Sequence, residues 1–223
     1  MHVGSFTGHV VPGSVFLWVS LNYTIQLYHC YFSARKSGRQ FKASHAHPYW
    51  FCHRKKIKWQ QIEAIFRLML ISSGIIGEII TGYDKNLKRF TNQMMHAEHI
   101  SMFTGFAFAT IVDIMKYHNV ACLPDGSDYF CGFGALAVEF VLFAYHLHGR
   151  TLLNTHLHTL LIYTIGLNAV ATITEYIYRD KFIWSLPRIV FLWLQGTWFY
   201  QIAFVLFNPY RDSPTLDVND NES

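Results

Sequence analysis

YHLHGRTLLNTHLHTLLIY, residues 145–163, is the stretch from which the fold is read. Two His-x-His pairs, His146/His148 and His156/His158, flank a short polar stretch, and long apolar runs lead away from it on both sides. Gly149 can end one helix and Asn154 or Thr155 can cap the next. The two runs are therefore read as antiparallel neighbours in a helical hairpin. Each is close to the roughly 20 residues a helix needs to cross a bilayer's hydrocarbon core. Imidazoles at the mouth of such a hairpin are costly beside lipid, and they point to a metal, proton or substrate site.

The rest of the chain repeats this pattern. Of its 223 residues 52% are hydrophobic, 17% aromatic and only 14% charged, against about 25% charged in an average soluble domain. Six near-spanning runs can be placed, at 9–32, 59–82, 98–117, 129–149, 155–178 and 183–207. All are expected to be helices, because an isolated strand leaves backbone groups unsatisfied in lipid. The expected fold is all-α, a polytopic bundle of six transmembrane helices, with residues 1–207 as a single domain and 208–223 as a short acidic tail. The first run is too long and too lightly charged at its start for a cleaved signal peptide. Cys30, Cys52, Cys122 and Cys131 form neither a CxxC motif nor a disulfide framework.

Orientation follows from the loop charges. Arg35, Lys36, Arg39, Lys42, Arg54, Lys55, Lys56 and Lys58 all fall in the 33–58 loop, which is expected to be cytosolic by the excess of cations. The N-terminus is then lumenal, and Lys85, Lys88 and Arg89 run against the rule. The net charge of +4 is no nucleic-acid signal, because the basic residues concentrate in one loop; membrane lipids, and protein partners at that loop, are the expected partners.

Polar residues recur at helical spacing inside the spans. Glu63, Arg67, Gly74 and Glu78 share a face, as do His99, Thr110 and Asp113, then Glu139 and His146, then Asn168, Thr172 and Glu175, then Arg188 and Gln195. These stripes are expected to face the bundle interior. Glu63–Arg67 and Glu175–Arg179 have the spacing of paired charges, so the cytosolic-half set reads as structural.

The other half reads differently. His9, Glu78, His96, His99, Glu139, His146, His148, His156, His158 and Gln201 all converge on the lumenal end. Residues two apart point about 200° apart on a helix, so one His of each pair is expected to face inward: His146, with His156 or His158. His99 and His9 can complete a metal-ligand set, and His148 is a weaker candidate. Imidazole and carboxylate ligands suit a divalent transition metal such as zinc, iron or manganese. Glu139 or Glu78 can be a ligand or the general base for a metal-bound water. Gln201, Thr159 or Tyr163 is expected to orient the rings. A metal-free cluster can instead relay protons or serve as a structural hydrogen-bond network.

GHVVPGS (8–14), EAIFRLMLISSGIIGE (63–78), HISMFTGFAFATIVDIM (99–115), VEFVLFAYHLHGRTLLNTHLHTLLIY (138–163), EYIYRD (175–180) and LQGTWFYQIAFVLFNP (194–209) together resemble the transmembrane protein 45 family. The resemblance implies a multi-pass protein of Golgi, endosomal or lysosomal membranes, with no settled activity and no catalytic residues to transfer. It also implies a seventh helix and a shorter basic loop; the sequence read here ends after its sixth span, as expected of a fragment or a short form. Two functions of different class stay open: a binding, trafficking or scaffold protein, and a metal-dependent membrane enzyme acting on a lipid by hydrolysis.

Overall fold

The computed structural model describes residues 5–45, 59–84, 87–91, 93–118, 123–145, 147 and 150–207, with the backbone alone at 59–61 and 93. The helices are α1 (Phe6–Lys36), α2 (Trp59–Gly82), α3 (Gln93–Tyr117), α4 (Ser127–Tyr145), α5 (Leu152–Ile177) and α6 (Leu186–Phe207), the last entered through a 3₁₀ turn at Phe182–Ser185. All six are long and apolar enough to cross a membrane. The shortest, α4, has 19 residues, about 28 Å at 1.5 Å per residue, against a hydrocarbon core of about 30 Å.

Hydropathy finds apolar runs, and helices continue past them. α1 runs on to Arg35 and Lys36, cations that suit a helix C-terminus. α3 starts at Gln93 instead of 98, taking in His96 and Glu98. α4 is described to Tyr145, next to the first His-x-His pair.

Neighbours pack in the order α1–α6–α5–α4–α3–α2. Arg67 on α2 donates to the Tyr23 hydroxyl on α1 at 2.9 Å, and Trp18 meets Phe66 edge-on, so α2 also touches α1. A Cβ at Gly196 would lie 3.0 Å from the Leu17 backbone nitrogen. Only a glycine on α6 lets the two backbones approach so closely.

The partition of residues is inside-out. Fully buried side chains include Glu139, Glu175, Gln195, Asn168 and His158, while Phe130 is 73% exposed, Ile80 66%, Met69 63% and Val170 62%. A chain dissolved in water would gain by the reverse arrangement. In lipid an outward Phe or Ile costs nothing, while an ionisable group pays heavily for facing out. This is the pattern of a multi-pass membrane protein.

Two connections have structure of their own. Beyond α1, Gly38 takes the left-handed conformation (φ +64) and turns the chain back. The strap that follows alternates: Phe41, Ala43 and His45 are buried while Lys42 is exposed. Its Ala43 N–H donates to the Arg179 carbonyl at 2.7 Å, and Arg179 Nε donates to the Ala43 carbonyl at 3.0 Å. Between α2 and α3 lie two short antiparallel strands, β1 (Tyr83–Asp84) and β2 (Arg89–Phe90). The Asp84 carboxylate accepts from the Leu87 N–H at 3.0 Å and tightens its turn.

Candidate functional site

At the end formed by the starts of α1, α3 and α5, the predicted site residues fall into separate groups. His158 is buried (1% exposed) and His156 points outward on the opposite face of α5. This matches the expectation that only one of the two faces inward. His9, in the first turns of α1, places its Nε2 3.4 Å from His158 Nε2. His9 stacks on Phe207 with ring centroids 5.1 Å apart, and Phe143 flanks His158. The ring of His158 is oriented by the Asn154 carbonyl, 2.9 Å from Nδ1. That role was expected of Gln201, Thr159 or Tyr163. Gln201 and Tyr163 are exposed, and Thr159 back-bonds to the Thr155 carbonyl at 2.8 Å. His146 and His148 lie outside the described residues.

Glu78 and His99 form a second group with His96. Glu78, late in α2, accepts from His96 Nδ1 at 2.6 Å on one oxygen and from His99 Nδ1 at 2.9 Å on the other. The i,i+3 spacing on α3 puts both rings over one carboxylate. Carboxylate–imidazole pairs of this kind fix the ring tautomer.

Glu139 belongs to neither group. Deep in α4 and 1% exposed, it accepts from Gln195 Nε2 of α6 at 2.8 Å, and Gln195 Oε1 meets Asn168 Nδ2 of α5 at 3.5 Å. Glu139 Oε2 and Asn168 Oδ1 are buried without a hydrogen-bond partner among the described residues. Among the described residues Glu139 thus belongs to an amide triad across three helices.

The opposite end carries a denser network, whose full membership the sequence did not reveal. Arg67 Nη2 donates to Asp113 Oδ2 at 2.8 Å, and Glu63 stands 3.7 Å from Arg67 Nε. Asp113 Oδ1 also accepts from His45 Nδ1 of the strap at 3.0 Å. Arg188 forms a two-pronged ion pair with Glu175, and Tyr129 donates to the same carboxylate at 3.1 Å. The Arg188 guanidinium also lies 4.8 Å from the Tyr23 ring centroid. Glu175 thus pairs with Arg188, against the expected i,i+4 partner Arg179. Arg179 turns instead toward Asp125 at 3.0 Å and the strap.

His45, Tyr23 and Tyr129 are members that charge stripes could not find, since none is a fixed charge. The apolar alternation Phe41–Ala43–His45 was the available signal for a docked extended segment.

Asp125 sits above this network, outside the spans, within reach of Lys116 (3.2 Å), Arg179 (3.0 Å) and Lys42 (3.8 Å). Hydrogen bonds from Lys116 and then Arg179 hold its carboxyl down at about 2. A depressed acid stabilises fully above its ordinary value of 3.8 and loses that contribution as pH falls through about 2. Because Asp125 is 64% exposed, solvent screens the clasp. Asp125→Asn is expected to shift stability by less than about 1 kcal/mol, read as thermal unfolding in detergent with little change between parent and variant at neutral pH.

Among the described residues no group of three His, Cys, Asp or Glu side chains is arranged to hold a metal ion. Residues 128–218, running from the start of α4 past the end of α6, match a family described as a family of unknown function, DUF716, and the match takes in Glu139, His156 and His158.

Proposed function

We propose that this protein is an endomembrane protein of the transmembrane protein 45 kind, acting through binding and trafficking at its basic end. The observation that carries this reading is the strap. Its inner side is tied into the bundle through Phe41, Ala43 and His45, and Arg35, Lys36, Arg39 and Lys42 are all exposed around it. Cations presented from a fixed segment attract the anionic cytosolic leaflet or an acidic partner segment, at about 1 kcal/mol per residue near a charged surface. The match to a family of unknown function is consistent with this assignment.

The orientation belongs to the same reading. The strap faces the cytosol, and the histidine-bearing end faces the lumen of Golgi, endosome or lysosome. The test reverses the four charges together, Arg35, Lys36, Arg39 and Lys42 each to Glu. Native mass spectrometry of detergent-purified protein is expected to show phosphatidylserine retained over phosphatidylcholine by the parent and not by the variant. In cells the folded variant is expected to leave its normal compartment. Equal lipid retention and unchanged distribution would contradict the reading.

The second reading, a metal-dependent membrane enzyme hydrolysing a lipid, is favoured by the closeness of His9 and His158. A metal-loaded protein with activity abolished by His158→Asn would bring it forward.

A further inference from the structure

The strap on one side and the end of α5 on the other line a cleft of about 510 Å³, inside the roughly 300–1,000 Å³ range of small-ligand sites. Its walls are fixed to one another. The two hydrogen bonds between Ala43 and Arg179 join them, and Phe41 is buried edge-on to Tyr31 and Phe182.

The lining carries both signs of charge. Lys42 and Arg179 supply cations and Asp180 a carboxylate. Arg179 is held by Asp125 at 3.0 Å. Lys42 stands 3.8 Å from the same carboxylate, and the two side chains are 65% and 64% exposed. An exposed pair of that length is worth little, so an incoming anion can take Lys42 over. A ligand of net negative charge that also carries an ammonium group matches both signs. Its phosphate or carboxylate meets Lys42, and its ammonium meets Asp180.

The depth of the cleft matches a lipid. Tyr178 and Trp184, just past the end of α5, are exposed and stack with ring centroids 5.2 Å apart. Exposed Tyr and Trp gather at the headgroup level of a bilayer. Ile177 lines the cleft and is 63% exposed, an apolar lip that suits the glycerol end of an acyl chain.

We propose that this cleft binds the headgroup of a phospholipid bearing a net negative charge and an ammonium group, as phosphatidylserine does. The proposal rests on the reading of the basic end as cytosolic for the leaflet it meets, where serine lipids contribute the negative surface charge.

The full chain, purified in detergent, is offered equal amounts of phosphatidylserine, phosphatidylglycerol and phosphatidylcholine, and retained lipid is counted by native mass spectrometry. The first two have the same net charge, and only the first of them has an ammonium group. The parent is expected to retain phosphatidylserine about fivefold over phosphatidylglycerol, the order of one solvent-screened ion pair. Asp180→Asn is expected to hold the two equally and still prefer both to phosphatidylcholine. Lys42→Gln is expected to lose more serine lipid than Lys36→Gln, which removes the same charge from an exposed position outside the cleft. Equal retention of the two anionic lipids by the parent overturns the proposal, as does an unchanged preference in Asp180→Asn or an equal loss in the two lysine variants. Each of these leaves the broader reading of the basic end standing so long as anionic lipid outlasts phosphatidylcholine. Serine lipid retained over both others, with phosphatidylglycerol no better than phosphatidylcholine, upholds the cleft and contradicts that broader reading. Displacement of the lipid by an equal concentration of glycerophosphoserine would show a soluble ligand and overturn the lipid assignment.

Discussion

Arg67→Ala is expected to destabilise the bundle by about 3–5 kcal/mol, the cost of stranding buried charge by deleting its partner. Arg67 is the cation that Asp113 and Glu63 share, and it also holds the Tyr23 hydroxyl. Asp113 is 3% exposed and Glu63 6%, so neither carboxylate reaches bulk water when the guanidinium is gone. His45 remains on Asp113, but it is one hydrogen bond from the strap and leaves Glu63 unserved. A loss of this size is a large part of a domain's whole stability of about 5–15 kcal/mol. Thermal unfolding in detergent is expected to show a sharply lowered midpoint. Removing the whole set in Glu63→Gln, Arg67→Met and Asp113→Asn together is expected to recover most of it, because no charge is then stranded. A single variant as stable as the parent would mean that water reaches these carboxylates.

Gly132→Val is expected to have the next largest effect, and at a distance. A Cβ on Gly132 would sit 2.6 Å from His45 Nε2, closer than atoms can approach. The imidazole cannot simply swing aside, because its other nitrogen is held by Asp113 and its ring is packed against Tyr23 and Tyr129. Overpacking of this kind costs about 1–3 kcal/mol, and expelling His45 relieves it. The strap then loses its innermost anchor. Hydrogen exchange at Ala43, whose N–H is bonded to the Arg179 carbonyl, is expected to rise, and trypsin is expected to cut after Arg39 or Lys42. The helices are expected to remain. Unchanged protection at Ala43 would show that the strap is held by Phe41 and Arg179 without His45.

The architecture was legible because lipid imposes it. Runs of near-spanning length, rare charge and polar residues at helical spacing allow little besides an α-helical bundle. Asn168, Thr172 and Glu175, one predicted stripe, are all about 1% exposed or less. What spacing could not supply is the partner. Glu175 has Arg179 one turn away along its helix, yet pairs with Arg188 across to α6, because a buried carboxylate is served by whatever guanidinium packing brings to it. The histidines show the same limit. Convergence on one end was visible in the chain order of the spans. The sorting into His9–His158, Glu78–His96–His99 and Glu139–Gln195–Asn168 depends on which helices touch. His45 was hidden in a basic loop whose charges drew the reading toward orientation, while its buried alternation carried the contact.

Sided chemical labelling of two single-cysteine proteins tests the six-span bundle most directly. With the native cysteines replaced by serine, Lys42→Cys reports the strap and Thr151→Cys the turn before α5; both positions are exposed. In cells whose plasma membrane alone has been opened, a membrane-impermeant maleimide is expected to label Lys42→Cys at once. Thr151→Cys is expected to react only after detergent opens the internal membranes. Labelling of both from the same side would contradict a bundle whose two polar ends lie on opposite faces of a membrane.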